Sequence, residues 1–108
     1  MFTRIVECNV KAGNIEKLTN AIRNEVSPIL KKQPGFVDLT VLVSDTDPNR
    51  CTSLSFWKTK EDAEKYNREE FPNVTKIVQP FLNGQPTVHN FKVDTSVTHK
   101  IAAGRAAA

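Results

Sequence analysis

The apolar residues follow two different periods along the chain, and the order in which these periods alternate constrains the fold most. In four short segments apolar and polar residues alternate, which is typical of β-strands with one buried face. In two longer segments apolar residues recur every three or four positions, which is typical of amphipathic helices. Read from the N-terminus, the order is strand, helix, strand, strand, helix, strand.

The predicted strands span residues 2–10, 36–43, 51–57 and 86–93. Pro28 lies near the end of the first helical segment, where it is expected to kink the helix or split off a last turn. Thr59, with Asp62 three residues later, predicts the capped start of the second helix, which Pro72 interrupts. This order predicts an α+β fold: a ferredoxin-like βαββαβ domain with an antiparallel sheet and both helical segments on one face.

The strand residues divide into two expected faces. The face predicted to meet the helices is almost wholly apolar and consists of Val6, Cys8, Val10, Val37, Leu39, Val41, Val43, Leu54 and Phe56. The other face is mixed and consists of Ile5, Glu7, Asn9, Asp38, Thr40, Leu42, Ser53, Ser55 and Trp57. A fully solvated sheet face rarely carries tryptophan, leucine and isoleucine together. We therefore expect a second copy of the chain to cover the mixed face, giving a homodimer.

The length of 108 residues is that of one domain. We place this domain at residues 1–95 and a C-terminal tail at 96–108, which is weakly patterned and could form a short helix or an arm that contacts the partner. The net charge of +3 is spread over interspersed basic and acidic residues, so no basic footprint for nucleic acid is present.

Several features favour a cytoplasmic protein without a membrane partner. No apolar run approaches the roughly 20 residues that a membrane span needs. The first residues, "MFTRIVECNV", lack the apolar core and cleavage site of a signal peptide. Cys8 and Cys51 form no C-x-x-C motif and are expected to be free thiols.

Few side chains point to chemistry. His89 lies on the fourth strand in phase with Phe91 and is either an ordinary strand histidine or a general base, since histidine titrates near neutral pH. Tyr66, the only tyrosine, is either a half-buried helix residue or a hydrogen-bond donor to a ligand. No group of histidine, cysteine and acidic residues has the spacing of a metal site, and no glycine-rich phosphate loop occurs, so no metal is expected.

Three segments together resemble the antibiotic biosynthesis monooxygenase domain family. They are "KAGNIEKL" after the first strand, "PILKKQPGF" from Pro28 to Phe36, and "SFWKTKEDAEKY" at the end of the third strand. The most characteristic part is W-x-[ST]-x-E-x-A, here Trp57 to Ala63. The resemblance covers about residues 1–94. It implies a dimeric α+β barrel, in which two subunits pair their sheets and each holds a pocket beside its helices.

The resemblance also limits the chemistry. Members of the family include cofactor-independent oxygenases of aromatic polyketides and quinols, haem-degrading oxygenases and small-metabolite enzymes. The haem-degrading members use an asparagine on the first strand, a tryptophan ending the third strand and a histidine on the second helix. Trp57 matches this pattern, but Val6 stands at the asparagine position and Val74–Thr75 at the histidine position. Haem, which such a histidine would ligate, is therefore not expected, and neither is any other cofactor.

The resemblance thus implies a cofactor-independent monooxygenase of a small aromatic or quinol-like molecule. The alternative is a non-catalytic dimeric domain that binds a small ligand or serves a stress response. The expected substrate-pocket residues are Trp57, Tyr66, Asn9, Phe71 and Phe81, and the candidates for a catalytic role are His89 and Tyr66. Trp57 could instead serve only to pack the strand against the helix.

Overall fold

The computed structural model describes residues 1–106 and has the predicted order of elements. The strands are β1 (Phe2–Asn9), β2 (Phe36–Val43), β3 (Arg50–Trp57) and β4 (Thr87–Lys92), and the helices are α1 (Ile15–Ala21), α2 (Ser27–Lys31), α3 (Lys60–Glu69) and α4 (Phe71–Val78). The four strands form one antiparallel sheet in the order β2–β3–β1–β4. The predicted ferredoxin-like α+β fold is confirmed.

The first helical segment changes its hydrogen bonding midway. Between α1 and α2 lies a π-helical turn, Ile22–Val26, and Pro28 occupies the first turn of α2. A proline is tolerated there because the first N–H groups of a helix have no partner within it. Residues Ile15 to Lys31 thus stay helical without a break, and the irregularity expected at Pro28 takes the form of the π-helical turn just before it. Leu18, Ile22 and Val26, with the later Leu30, form the buried stripe of this segment.

The second helical segment begins at a capped threonine. The Asp62 N–H donates to Thr59 Oγ1 over 3.1 Å, and the Thr59 hydroxyl donates to Asp62 Oδ2 over 2.9 Å. Gly35 lies against this cap: its φ is +76°, its carbonyl accepts the Lys58 N–H over 2.8 Å, and a Cβ there would collide with the Asp62 side chain. The turn before β2 is thus fixed to the start of α3. Pro72 separates α3 from α4, as predicted.

The register between β1 and β3 corrects the predicted faces. Residues directly opposite each other point to the same side of a sheet, and Arg4 is paired with Ser55, Val6 with Ser53. Ser53, Ser55 and Trp57 therefore point toward the helices, on what we call the helix face. Leu54 and Phe56, which were expected in the core, lie on the opposite, outer face. The predicted phase of β3 was wrong because both alternating sets of residues contain large apolar side chains.

The C-terminal tail reaches the outer face. Beyond β4 it forms a small hairpin of β5 (Ile101–Ala102) and β6 (Arg105–Ala106). The His99 ring lies 5.8 Å from the Phe56 ring, and Ile101 is buried and exchanges two backbone hydrogen bonds with Ser96. Residues 96–106 therefore do not form the short helix considered for the tail, and residues 107–108 lie outside the described part. Part of the outer face is covered by the chain itself.

Candidate functional site

A small cavity of about 50 Å³ lies between the helix face of the sheet and the helices. Most of its lining is aliphatic or aromatic and comes from β1, β2 and all four helices. The side chains that bring hydroxyl or guanidinium groups to this lining are Arg4, Ser53, Ser55, Tyr66 and Thr75. The mixture of apolar walls and a few polar groups is that of a small-molecule site, whereas the volume is well below the roughly 300–1,000 Å³ that such sites usually have. We refer to this space as the inner cavity.

Trp57 lies behind the wall of the inner cavity and is not among its lining residues. Its ring is 0% exposed, meets Phe36 edge-on at 5.6 Å and stacks on Tyr66 at 4.9 Å between ring centroids. The indole Nε1–H donates to Ser55 Oγ over 3.0 Å. Because Ser55 and Tyr66 do line the cavity, Trp57 orients two wall residues from the core side.

Arg4 is the site residue that the sequence interpretation missed. It is only 2% exposed, and its Nη2 donates to Asn67 Oδ1 over 2.8 Å. Its guanidinium carbon lies 4.4 Å from the centroid of the Phe71 ring and 5.1 Å from that of the Tyr66 ring. Within residues 1–106 no carboxylate forms an ion pair with it. The available signal was strand phase: Arg4 lies two residues before the inward-pointing Val6 and therefore shares its face of the sheet.

The environment of Tyr66 keeps its phenol protonated. Burial raises the pKa of Tyr66 to about 12, while the Arg4 guanidinium opposes the rise and the Glu70 carboxylate adds to it. At neutral pH the Tyr66 hydroxyl is therefore a neutral hydrogen-bond donor and a poor base. Burial also lowers the pKa of Arg4, against the effect of Tyr66. A guanidinium nevertheless stays charged at neutral pH.

A second space, which we call the outer cleft, opens beside α3 and has a volume of about 350 Å³. Its lining residues are Phe2, Arg4, Lys60, Ala63, Glu64, Asn67 and Asn90. Lys60 and Glu64 pair across one helical turn at 3.8 Å, with both side chains more than half exposed. Arg4 lines both the outer cleft and the inner cavity, so it stands between a polar and an apolar space.

Of the predicted site residues, Tyr66 and Phe71 meet at the inner cavity, with ring centroids 6.1 Å apart. Asn9 is exposed at the end of β1, on the outer face. Phe81 packs at the margin of the core and lines a separate depression beside α1. His89 is on the outer face opposite Ile5, and its Nε2 lies 3.5 Å from Glu7 Oε2. The sheet thus separates His89 from Tyr66.

The two cysteines lie directly opposite each other in β1 and β3 and are free thiols. Burial, with a smaller effect of Cys51, raises the pKa of Cys8 to about 11. Burial likewise raises the pKa of Cys51. Cys8 lines the inner cavity, but as a protonated thiol it adds a weakly polar surface and no strong nucleophile there.

Residues 1–106 contain neither a metal-binding cluster nor a membrane-spanning helix. Val74 and Thr75, where the haem-degrading members have a histidine, both line the inner cavity, and neither supplies an imidazole for iron. Among residues 1–106 no three His, Cys, Asp or Glu side chains are grouped so that they could hold a metal ion. No helix in that range is long and apolar enough to cross a membrane.

The fold and the site define a ferredoxin-like α+β domain with a small, mostly apolar cavity between its sheet and its helices. The family model described as "Antibiotic biosynthesis monooxygenase" matches residues 1–71. The chain belongs to the antibiotic biosynthesis monooxygenase family, which confirms the resemblance drawn from its motifs. A comparison with curated protein sequences gives no match.

Solved structures share the fold at low sequence identity. SnoaB, a cofactor-independent oxygenase from Streptomyces nogalater, is 14% identical, with a TM-score of 0.75 over 89% of this chain and 95% of that chain. A conserved protein from Methanosarcina mazei Go1 is 19% identical, with a TM-score of 0.70 over 84% and 91%. A Nitrosomonas europaea protein assigned to the antibiotic biosynthesis monooxygenases is 22% identical, with a TM-score of 0.71 over 84% and 96%. At these identities the likeness shows the fold alone.

Proposed function

We propose that the protein is a cofactor-independent monooxygenase that oxidises a small aromatic or quinol-like molecule in the inner cavity. The observation that carries this proposal is the cavity itself: an apolar enclosure whose lining includes two hydroxyl-bearing side chains, Tyr66 and Ser55. Membership of the family supports the reaction class. SnoaB, which shares the fold, is a cofactor-independent oxygenase.

The chemistry needs little from the protein when the substrate supplies the electrons. A substrate CH₂ group beside a carbonyl loses a proton to water, and the resulting enolate passes one electron to O₂. The radical and superoxide combine to a peroxide anion, which takes back the released proton to give a hydroperoxide. The hydroperoxide loses water to leave a carbonyl. In sum, CH₂ and O₂ give C=O and H₂O. The protein then has to exclude bulk water and donate hydrogen bonds to the enolate oxygen.

Tyr66 is the residue best suited to the enolate. With a pKa of about 12, its phenol stays protonated throughout the neutral range and can donate without losing its proton. Trp57 and Phe71 hold its ring from two sides, so the donor is fixed before the substrate arrives. A fixed donor avoids the cost of reorganising solvent dipoles as charge develops.

A second candidate function is a non-catalytic, ligand-binding domain. It is favoured by the lack of a general base near neutrality: the pKa of Tyr66 is too high, and His89 lies on the outer face. The buried Arg4 and its bond to the exposed Asn67 fit both functions, because a polar contact can serve binding as well as catalysis.

We also propose a cytoplasmic homodimer that pairs through the outer face. Leu42 and Phe91 lie toward opposite edges of this face and remain 50% and 52% exposed. Burial of such residues against a second copy would remove apolar surface from water. The facing but unbonded thiols of Cys8 and Cys51 suit a reducing compartment.

Oxygen uptake with an anthrone and with a quinol, in the presence of a metal chelator, tests the proposed activity. We expect uptake above the spontaneous rate, and, with isotope-labelled O₂, one labelled oxygen in the anthrone product. Tyr66→Phe should lower kcat by about tenfold, the effect of losing one hydrogen bond to a developing charge. Phe81→Leu, away from the cavity, is the control. Binding of these compounds without any enzyme-dependent uptake would instead establish the non-catalytic function.

A further inference from the structure

Arg4 carries a buried charge that the described chain does not neutralise. A buried arginine is normally paired with a carboxylate, because an isolated charge is costly to remove from water. Arg4 has instead the amide oxygen of Asn67 and the faces of two aromatic rings, and hydrogen bonding to Tyr66 also acts on its pKa. Among residues 1–106 no buried side-chain nitrogen or oxygen lacks a hydrogen-bond partner. What these neutral partners leave unmatched is the charge of Arg4, and that charge points to an anionic group.

The surroundings of Arg4 indicate where that group would lie. Of the charged residues around the outer cleft, Lys60 and Glu64 pair with each other, which leaves Arg4 as the unmatched charge. Because Asn67 Oδ1 accepts from Arg4, the amide NH₂ group of Asn67 is left to donate to a ligand. The outer cleft therefore offers a cation and an amide donor, and the same cation also lines the apolar inner cavity.

The stacking of Arg4 favours a particular ligand geometry. Its guanidinium lies over the Phe71 ring, and a guanidinium held against a ring face keeps its N–H groups available around its edge. Such an edge matches the two oxygens of a carboxylate. One unmatched positive charge matches a monoanion.

We propose that Arg4 and Asn67 form an anion-binding site for a small aromatic carboxylate. The carboxylate meets Arg4 and Asn67 at the outer cleft, and the aromatic ring points toward the inner cavity. The choice of an aromatic ligand rests on the proposed oxygenase function, whereas the anion site rests on the buried guanidinium. The substrate class thereby narrows to aromatic molecules that carry a permanent negative charge.

A purely structural role for Arg4 makes the opposite prediction for stability. If Arg4 served only the fold, Arg4→Met would lower the thermal midpoint. If it serves a ligand, replacing an unmatched buried charge by an apolar side chain of similar length should leave the midpoint unchanged or raise it. Thermal unfolding of the unliganded protein separates the two roles.

Titration with benzoate and with benzamide tests the binding site directly, because the two share a ring and differ in charge. The NMR signal of the Trp57 Nε1–H is a single reporter, since the chain has one tryptophan and its ring stacks on Tyr66. We expect benzoate to bind at least about tenfold more tightly than benzamide, and Arg4→Met to abolish that preference. Arg50→Met removes the same charge from an exposed position, so this variant should still prefer benzoate to benzamide.

Equal affinity for the two probes, no benzoate-dependent shift, or an unchanged preference in Arg4→Met would overturn the proposal. Should Arg4→Met fail to fold, Asn67→Leu, an exposed substitution, must weaken benzoate binding but not benzamide binding for the site to stand. A benzoate preference without oxygen uptake on any substrate would leave the anion site and remove the oxygenase. Oxygen uptake with neutral substrates and no preference for benzoate would support the oxygenase and rule out the anion site.

Discussion

Trp57 and Tyr66 stack with their ring centroids 4.9 Å apart and their planes 27° from parallel, which joins the end of β3 to the middle of α3. Trp57 belongs wholly to the core, whereas Tyr66 extends from the core to the lining of the inner cavity. Arg4 and Phe71 contact Tyr66 in turn. The stacked pair of Trp57 and Tyr66 therefore links the core to the lining of the inner cavity.

Trp57→Phe should weaken the fold more than the site. The substitution removes the hydrogen bond from Nε1 to Ser55 Oγ and part of the stacked area, so we expect unfolding to become easier by about 1–2 kcal/mol in urea titrations. Because Trp57 does not line the cavity, affinity for benzoate should change by less than about twofold. A tenfold weaker affinity at unchanged stability would instead assign the indole to the ligand.

Tyr66→Phe should change the alkaline limb of the stability profile. The folded-state pKa of Tyr66 is about 12 against an ordinary value of 10.0, so the folded protein holds a proton that the unfolded chain releases. Its contribution is complete below pH 10 and is lost as the pH rises to about 12, for a loss of about 3 kcal/mol at most. In urea unfolding at several alkaline pH values, the free energy of unfolding should fall less steeply with pH in Tyr66→Phe than in the wild type.

Cys8 should contribute to the same decline at somewhat lower pH. Its pKa rises from 9.0 to about 11, so its share is lost between these two values. Cys8→Ala should therefore flatten the profile between pH 9 and 11, and Tyr66→Phe between pH 10 and 12. A decline equally steep in both variants and in the wild type would contradict this assignment.

Leu42 and Val43 provide a matched pair for testing the homodimer. They are neighbours in β2, 50% and 51% exposed, and they point to opposite faces of the sheet. Leu42→Asp places a charge on the outer face and should shift the mass measured by light scattering toward the monomer. Val43→Asp places the same charge on the helix face and should leave the wild-type mass unchanged. A monomeric wild type would refute the dimer.

Gly35→Ala should destabilise the domain more than Gly13→Ala does. Both glycines have φ of +76°, so both substitutions incur the strain of a left-handed backbone, about 1 kcal/mol. A Cβ at Gly35 also collides with Asp62, whereas one at Gly13 meets no atom within 4 Å. The thermal midpoint should fall further for Gly35→Ala, and Asp62→Ala in the same chain should restore part of the difference. Equal midpoints for the two single variants would contradict the close contact.

The element order and the cap at Thr59 followed from local signals, namely hydrophobic period and side-chain capping, whereas Pro28 indicated only that the first helix is irregular nearby. The phase of β3 did not, because Leu54 and Phe56 compete with Trp57 for the core and only pairing with β1 decides between them. Such pairing is a long-range property that one strand's composition does not encode.

Arg4 was missed for a different physical reason. Arginine is rarely buried, so its charge predicts a surface position even where strand phase points inward. The two signals conflict at this residue, and such conflicts concentrate at functional sites. The hairpin in the tail likewise depends on a distant contact, that of His99 with Phe56, and local periodicity in the tail could not reveal it.

The π-helical turn at Ile22–Val26 has a consequence for how an aromatic ring could enter so small a cavity. Ile22 and Val26 both face the inner cavity, and a π-turn departs from regular α-helical hydrogen bonding at that place. Proteins open locally in contiguous units, and we expect opening of the helical layer to start at this turn. Amide hydrogens of this turn should therefore exchange with deuterium earlier than those of β1 and β3. Local opening of this π-helical turn would enlarge the inner cavity while the sheet stays intact.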